Sequence, residues 1–194
     1  VPIANHLALP LATFKVARLS FGEVAVAEIR QISTRKQPSR GPVLAVKKEP
    51  TLLEDLNQAL AAETIAAFRY LYLSKMASGL DSLPLAKMFG EMSDGEWGHV
   101  SLFMERIIQL GGIPVSKPAE WEKRTFHTYT EPPRRGNDLK AMIRDSLKLE
   151  RSAVEFYQKL ANKTKDSDLI TYKLAVDALA DEANEVQSLQ ALLE

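Results

Sequence analysis

Residues 88–112 read MFGEMSDGEWGHVSLFMERIIQLGG, and this stretch decides the fold class. Met88, Met92, Phe103 and Ile107 recur at the three-to-four-residue spacing that lines up one face of an α-helix. Glu96 and His99 fall inside that same apolar face. A carboxylate set among core side chains is costly to keep ionised alone, so it is paired, protonated or bound to a cation. Gly111-Gly112, with Pro114 beyond, is a helix stop, and the spacing predicts a helix from about Pro84 to Leu110.

The same pattern extends to both sides. Thr51, with Glu54 three residues on, opens a helix in a capping-box arrangement. Its Leu52, Leu56, Leu60, Ile65, Phe68, Leu71 and Met76 keep helical spacing until Gly79–Pro84 break it, and Glu63 sits in its Leu56, Leu60, Ala67, Tyr70 stripe. Residues 113–137 hold Pro118, Pro132, Pro133 and Gly136 and read as a loop. Asn137 or Asp138 caps a third long helix, to about Lys163, in which Glu150 stands among Ile143, Leu147, Val154 and Tyr157. After a turn at Lys165-Asp166-Ser167-Asp168, a fourth helix carries Glu182 and Glu185 alongside Leu174, Ala178, Leu189 and Leu192.

Depth along the helices then groups the polar residues. Glu63 and Glu96 are equidistant from Gly79-Leu80, and Glu150 and Glu182 are equidistant from Asp166. In an antiparallel hairpin, equidistant residues lie at one level, here about 24 Å from the turn at 1.5 Å per residue. His99 follows Glu96 by three and Glu185 follows Glu182 by three, so each pair shares a helix face. Six ligand-type side chains are thus predicted to meet between four helices. Carboxylates with a single imidazole suit iron or manganese. Without metal, the crowded carboxylates should repel one another and hold their protons to higher pH.

The remaining composition sets bounds. The chain has 194 residues, 45% hydrophobic and 26% charged, enough for one core domain with an appendage. It contains no cysteine, which excludes disulfides, thiolate metal sites and cysteine nucleophiles. No apolar run approaches the ~18 residues of a membrane span, so a cytoplasmic protein is expected. An organellar one after removal of a presequence is the other reading, against which Glu23 and Glu28 count. Residues 1–50 carry eight Lys/Arg against three Glu in a chain of zero net charge, so a basic extension precedes an acidic body at 51–194. Phe21–Ile32 and Pro42–Val46 suggest strands or a short helix, and the extension suits an assembly or partner contact rather than DNA. His6 and His127 stand alone and are expected to be exposed and without function.

Residues 51–194 resemble the ferritin-like superfamily, and within it bacterioferritin and Dps-like proteins. The resemblance rests on Glu63-x6-Tyr70-x5-Met76, on Glu96-Trp97-Gly98-His99 followed by Glu105 to Pro114, on Leu149-Glu150-Arg151-Ser152-Ala153, and on Asp181-Glu182-x-x-Glu185. It implies a ferritin-like up-down four-helix bundle using one Glu from each of two helices and Glu-x-x-His from the other two. It also implies two iron ions (or manganese) at Glu63, Glu96, His99, Glu150, Glu182 and Glu185, with Tyr70 a phenol near the metals. The implied activity is ferroxidase chemistry on Fe2+ with O2 or H2O2.

Three departures modify that expectation. Glu185 replaces the family's second His. Trp97 stands where bacterioferritins carry the haem-ligating Met, so no haem is expected. The chain ends nine residues after Glu185, which leaves no fifth helix and points to a homo-oligomer as a dimer or Dps-like shell. The family's acceptor for a ligand histidine is the residue before the opposite Glu. Asp181 holds that place for His99, whereas Gly95 holds the equivalent place opposite Glu185. Two other function classes remain open at this point. One is a different di-metal enzyme of this fold: a peroxidase, a manganese catalase or an oxygenase with an open cavity. The other is a scaffold subunit built into a larger complex.

Overall fold

The computed structural model describes residues 50–194. His6, the elements expected within Phe21–Ile32 and Pro42–Val46, and the side-chain cap expected at Thr51 lie outside the described residues. Five helices and no strand occur among the described residues: α1 (Pro50–Met76), α2 (Ser82–Gln109), α3 (Pro118–Arg124), α4 (Leu139–Thr164) and α5 (Leu169–Ala191). None is long and apolar enough to cross a membrane.

The four long helices form two antiparallel hairpins, α1 with α2 and α4 with α5. The Ser78 amide donates to the Gly136 carbonyl at 2.8 Å, so the first turn lies beside the start of α4. Arg106, near the end of α2, donates to Asp168 and Thr171 at the start of α5. The two hairpin turns therefore sit at opposite ends of the bundle, and the chain between α2 and α4 crosses its length, the single long crossover of one bundle class. Helices of 26 to 28 residues are about 40 Å long. The helix ranges put Glu63 and Glu96 at the middle of α1 and α2 and Glu150 near the middle of α4, so opposed turns bring the carboxylates to one level.

Local chemistry explains the ends. Gly79 (φ 105°) makes the first turn, and the Ser82 hydroxyl donates to its carbonyl at 2.8 Å. Gly111 (φ 72°) closes α2: its amide donates to Ile108 and that of Gly112 to Ile107, each at 2.8 Å, a Schellman pair. The Asp168 carboxylate accepts from the Ile170 and Thr171 amides and caps α5. Asp138 precedes α4 without a side-chain cap.

Two expectations need correction. The stretch expected as loop contains α3, two turns opened by Pro118 at its first position. Trp121 packs α3 onto the core, and Arg124 bonds Glu54 at 2.9 and 3.1 Å, so Glu54 ties α3 to α1. Second, Phe68 and Leu71, which share the helical spacing of α1, face outward at 65% and 40% exposure. The buried stripe runs instead through Leu56, Leu60, Glu63, Ala67 and Tyr70. Two apolar clusters result, one around Leu60, Phe103, Ile107 and Leu160, the other around Leu73, Phe89, Met142 and Leu189. Each fully buried side chain of this size contributes roughly 1.5–3 kcal/mol.

Candidate metal centre

Between those clusters each long helix turns carboxylates inward. α1 supplies Glu63, α2 Glu96 and His99, α4 Glu150, and α5 Glu182 and Glu185. Glu63, Glu96, Glu150 and Glu182 are all at most 2% exposed. One oxygen or nitrogen from each of Glu63, Glu96, His99 and Glu182 lies within 4.8 Å of the others, and so does one oxygen from each of Glu96, Glu150, Glu182 and Glu185. The structure thus brings together all six predicted side chains as two overlapping groups that share Glu96 and Glu182.

The histidine is oriented from both sides. Its Nδ1 faces Glu96, Glu182 and Glu63 oxygens at 3.3, 3.4 and 3.6 Å. Its Nε2 lies 3.3 Å from Asp181 Oδ2, so an Nε2–H donated to Asp181 orients the ring with Nδ1 towards the carboxylates, where it would serve as a ligand on losing its proton. At the equivalent place opposite Glu185, Gly95 carries no acceptor, and a Cβ built there would meet nothing within 4 Å. Packing does not demand that glycine.

Tyr70 donates to Glu150 Oε1 and Tyr157 donates to Glu63 Oε1, a reciprocal exchange between α1 and α4. Each phenol stacks on a phenylalanine, Tyr70 on Phe89 and Tyr157 on Phe103, with centroids 5.9 and 5.5 Å apart. Sequence reasoning places Tyr157 in the core but misses its bond to the site. Its signal is a repeat: Glu63-x6-Tyr70 and Glu150-x6-Tyr157 have the same spacing.

The electrostatics are unbalanced. Burial pushes Glu63 above its ordinary pKa, even against hydrogen bonds from Glu96 and His99. Burial and then neighbouring carboxylates push Glu96 and Glu150 well above theirs. Burial and the charges of Glu96 and Glu182 push Glu185 up to about 9. For His99 burial opposes the charged form, but hydrogen bonds to Glu182, Glu63 and Glu96 outweigh it and raise its pKa. In the metal-free protein an imidazolium and shared protons thus hold the carboxylates together. Glu185 Oε2 is buried without a hydrogen-bond partner, and Glu182 Oε1 meets only the His99 ring, 3.4 Å away. An orphaned oxygen within a ring of carboxylates is what a bound cation would satisfy, so these residues fit a metal.

The space beside the site is small. A cavity of about 10 Å³, room for about one water, is lined by Glu63, Glu96, Glu150 and Glu182 together with Ala62, Ala66, Ala153, Phe126 and His127. His127, expected to be exposed and without function, is half-buried at this cavity, and burial lowers its pKa. A larger cavity of about 350 Å³, between α1 and the crossover near Phe68 and Tyr129, touches none of the six site residues. Trp97 is half-exposed.

Comparison with known proteins agrees with this architecture. The family model for a ferritin-like domain matches residues 53–194. The DNA protection during starvation protein of Pyrococcus furiosus is 31% identical over 134 residues, 68% of this chain and 70% of that protein. A dodecameric thioferritin, the bacterioferritin-related protein of Bacteroides fragilis, superposes with a TM-score of 0.72 at 28% identity, covering 78% of this chain and 89% of that one. Dps from Thermosynechococcus elongatus superposes with a TM-score of 0.70 over 75% of this chain and 91% of its own, at 18% identity that speaks for the fold alone.

Proposed function

This chain belongs to the ferritin-like domain family, and on that premise we propose that it is a di-iron ferroxidase, oxidising Fe2+ with O2 or H2O2 for iron storage or protection from oxidative stress. The observation that carries the reading is the pair of overlapping ligand groups sharing Glu96 and Glu182. Two divalent ions would bring four positive charges to five carboxylates, and shared carboxylates would hold the ions close enough to act on one oxidant. Glu63 and His99 would complete one position, and Glu150 and Glu185 the other. In the peroxide reaction each Fe2+ loses one electron, and H2O2 takes two electrons and two protons to leave as two waters. The raised carboxylates and His99 are proton holders that give up their protons as the ions enter. Tyr70 and Tyr157 would steer Glu150 and Glu63 from the outer side.

Cavity size favours this reading over an oxygenase on the same fold. About 10 Å³ beside the carboxylates admits a diatomic or a water but no organic substrate. Iron, by contrast, needs only a narrow path. Exposed Phe68, Leu71, Trp97 and Ile108 on α1 and α2 offer apolar surface for neighbouring subunits, which a closed homo-oligomer would cover, and the Bacteroides relative is a dodecamer. The test is anaerobic Fe2+ titration, then addition of O2 or H2O2, with particle size measured on the same sample. Two Fe2+ per chain, oxidised on addition and retained in a large particle, support the reading. Absence of Fe2+ binding overturns it, and rapid turnover without retained iron moves it to a peroxidase or catalase.

A further inference from the structure

We propose that the cavity between α1 and the crossover is a separate binding site for a small organic anion, a planar aromatic carboxylate seated against Arg69. The inference is independent of the di-iron reading, because none of the six centre residues lines this cavity. Trp97, which stands where bacterioferritins carry a haem ligand, does not line it either.

Size and walls set the class of ligand. At about 350 Å³ the cavity lies at the lower end of the roughly 300–1,000 Å³ range of small-molecule pockets. Four aromatic side chains line it: Phe68 and Tyr72 of α1, Trp121 of α3, and Tyr129 between α3 and α4. Such rings stack face to face or edge to face on a flat apolar body and favour it over a flexible chain.

The charge comes from Arg69. This side chain lines the cavity and is 4% exposed, and its Nη1 donates to the Thr130 carbonyl. Its Nε and Nη2 are buried and have no hydrogen-bond partner. Among the described residues its one ion pair is with Asp145, at 4.0 Å, too long for a hydrogen bond. Nε–H and Nη2–H share one edge of the guanidinium, the fork that takes both oxygens of a carboxylate. Trp121 Nε1 is a further buried donor without a partner at the same walls. Sealed from bulk water, these donors lack what the oxygens of a ligand would supply.

Charge balance narrows the choice to a monoanion. Glu131 and Arg134, also at the cavity, are both exposed and offset each other, which leaves Arg69 to be matched. Burial lowers the Arg69 pKa against the pull of Asp145, as befits a cation short of close counter-charge. A dianion would bring one more charge out of water than these walls neutralise.

The test is titration of the metal-free protein, in its assembled state, with 2-naphthoate by fluorescence and equilibrium dialysis. One saturable site per chain is expected. The neutral isostere 2-naphthamide and the flexible octanoate should each bind at least about ten-fold more weakly. Loading with two equivalents of Zn2+ should leave naphthoate affinity within about three-fold, since the metal centre is elsewhere. Arg69→Gln should weaken naphthoate at least about ten-fold and remove its advantage over the amide. Should loss of the Thr130 bond unfold that variant, Tyr129→Ala, at a 39% exposed position, decides instead, with a loss of at least about three-fold expected. Absence of saturable binding, as when a neighbouring subunit fills the cavity, would overturn the inference. So would binding only to metal-loaded protein, equal affinity for naphthamide or octanoate, or unchanged affinity in Tyr129→Ala. None of these results touches the di-iron reading.

Discussion

Two buried ionic clusters join α2 to α5, and they are built on opposite principles. Near the end of α2, Arg106 donates to both Asp168 oxygens at 2.7 and 2.6 Å and to the Thr171 hydroxyl at 2.8 Å, while Asp168 also accepts from two backbone amides. Arg106 is balanced by one carboxylate, its donors are used, and the pair is closed. Two to three turns back along α2, five carboxylates crowd around one histidine, and Glu185 Oε2 is left without a partner. The first cluster holds the bundle together without help. On the di-metal reading the second would be completed by cations, which would offset its cost to the metal-free fold.

The largest effect should come from the shared carboxylate. Glu182→Ala removes a donor from both groups and should abolish binding of the ion pair, with Fe2+ oxidation falling about 100-fold or more, as stopped-flow absorbance would show. If the rate survives, the open cluster is not the reaction site. Asp168→Asn should do the reverse. Breaking the closed pair strands Arg106 and should cost about 3–5 kcal/mol in chemical denaturation, with two metal ions per chain still bound by the folded protein.

The clusters should also answer pH with opposite signs. Burial holds Glu185 up to about 9, and Glu63, Glu96 and Glu150 are raised too. A carboxyl raised on folding contributes its stability in full below its ordinary 4.5 and loses it as pH climbs through the folded value. Metal-free protein should therefore lose thermal stability steadily from pH 5 towards about 9, and added metal should reverse the trend. For Asp168 burial acts upward, but bonds from Arg106 and Thr171 outweigh it and lower its pKa. That stability is present above its ordinary 3.8 and fades as pH falls through the lower folded value. Asp168→Asn should flatten the acid limb and leave the alkaline slope in place.

A smaller effect distinguishes repulsion from mere burial. Glu96→Gln removes one ionisable group from the metal-free centre and should raise its melting midpoint at alkaline pH, by an amount equivalent to about 1–2 kcal/mol, while preventing two-ion binding. A lowered midpoint would mean that Glu96 is held by bonds its replacement cannot make. Smallest of all, Gly95→Ala fills open space on a helix and should add about 0.5–1 kcal/mol, measured by urea denaturation, without touching either cluster.

The contrast also explains what could be read from residues alone. The placing of Glu63 with Glu96, and of Glu150 with Glu182, follows from distance to a turn, a local property of each hairpin. His99 beside Asp181 follows once the helices are aligned. The docking of one hairpin on the other is not local, because it depends on a crossover whose bonds, such as Ser78 to Gly136 and Val115 to Asn57, join residues far apart in sequence. For the same reason α3 and the half-burial of His127 escape a periodicity argument. Phe68 and Leu71 mislead it, since apolar residues on two faces of α1 share one helical spacing. Tyr157 was legible in principle, through a spacing it shares with Tyr70.

The crossover has one more implication. Glu63, Glu96 and His99 belong to the hairpin before it, and Glu150, Glu182 and Glu185 to the hairpin after it. Neither half carries the full donor set of either group, so neither should chelate as the whole does. A chain nicked between Arg124 and Leu139 would become two fragments with an inherent sensor of their own reunion, and colour or paramagnetism from a captured ion would report that the halves had found each other.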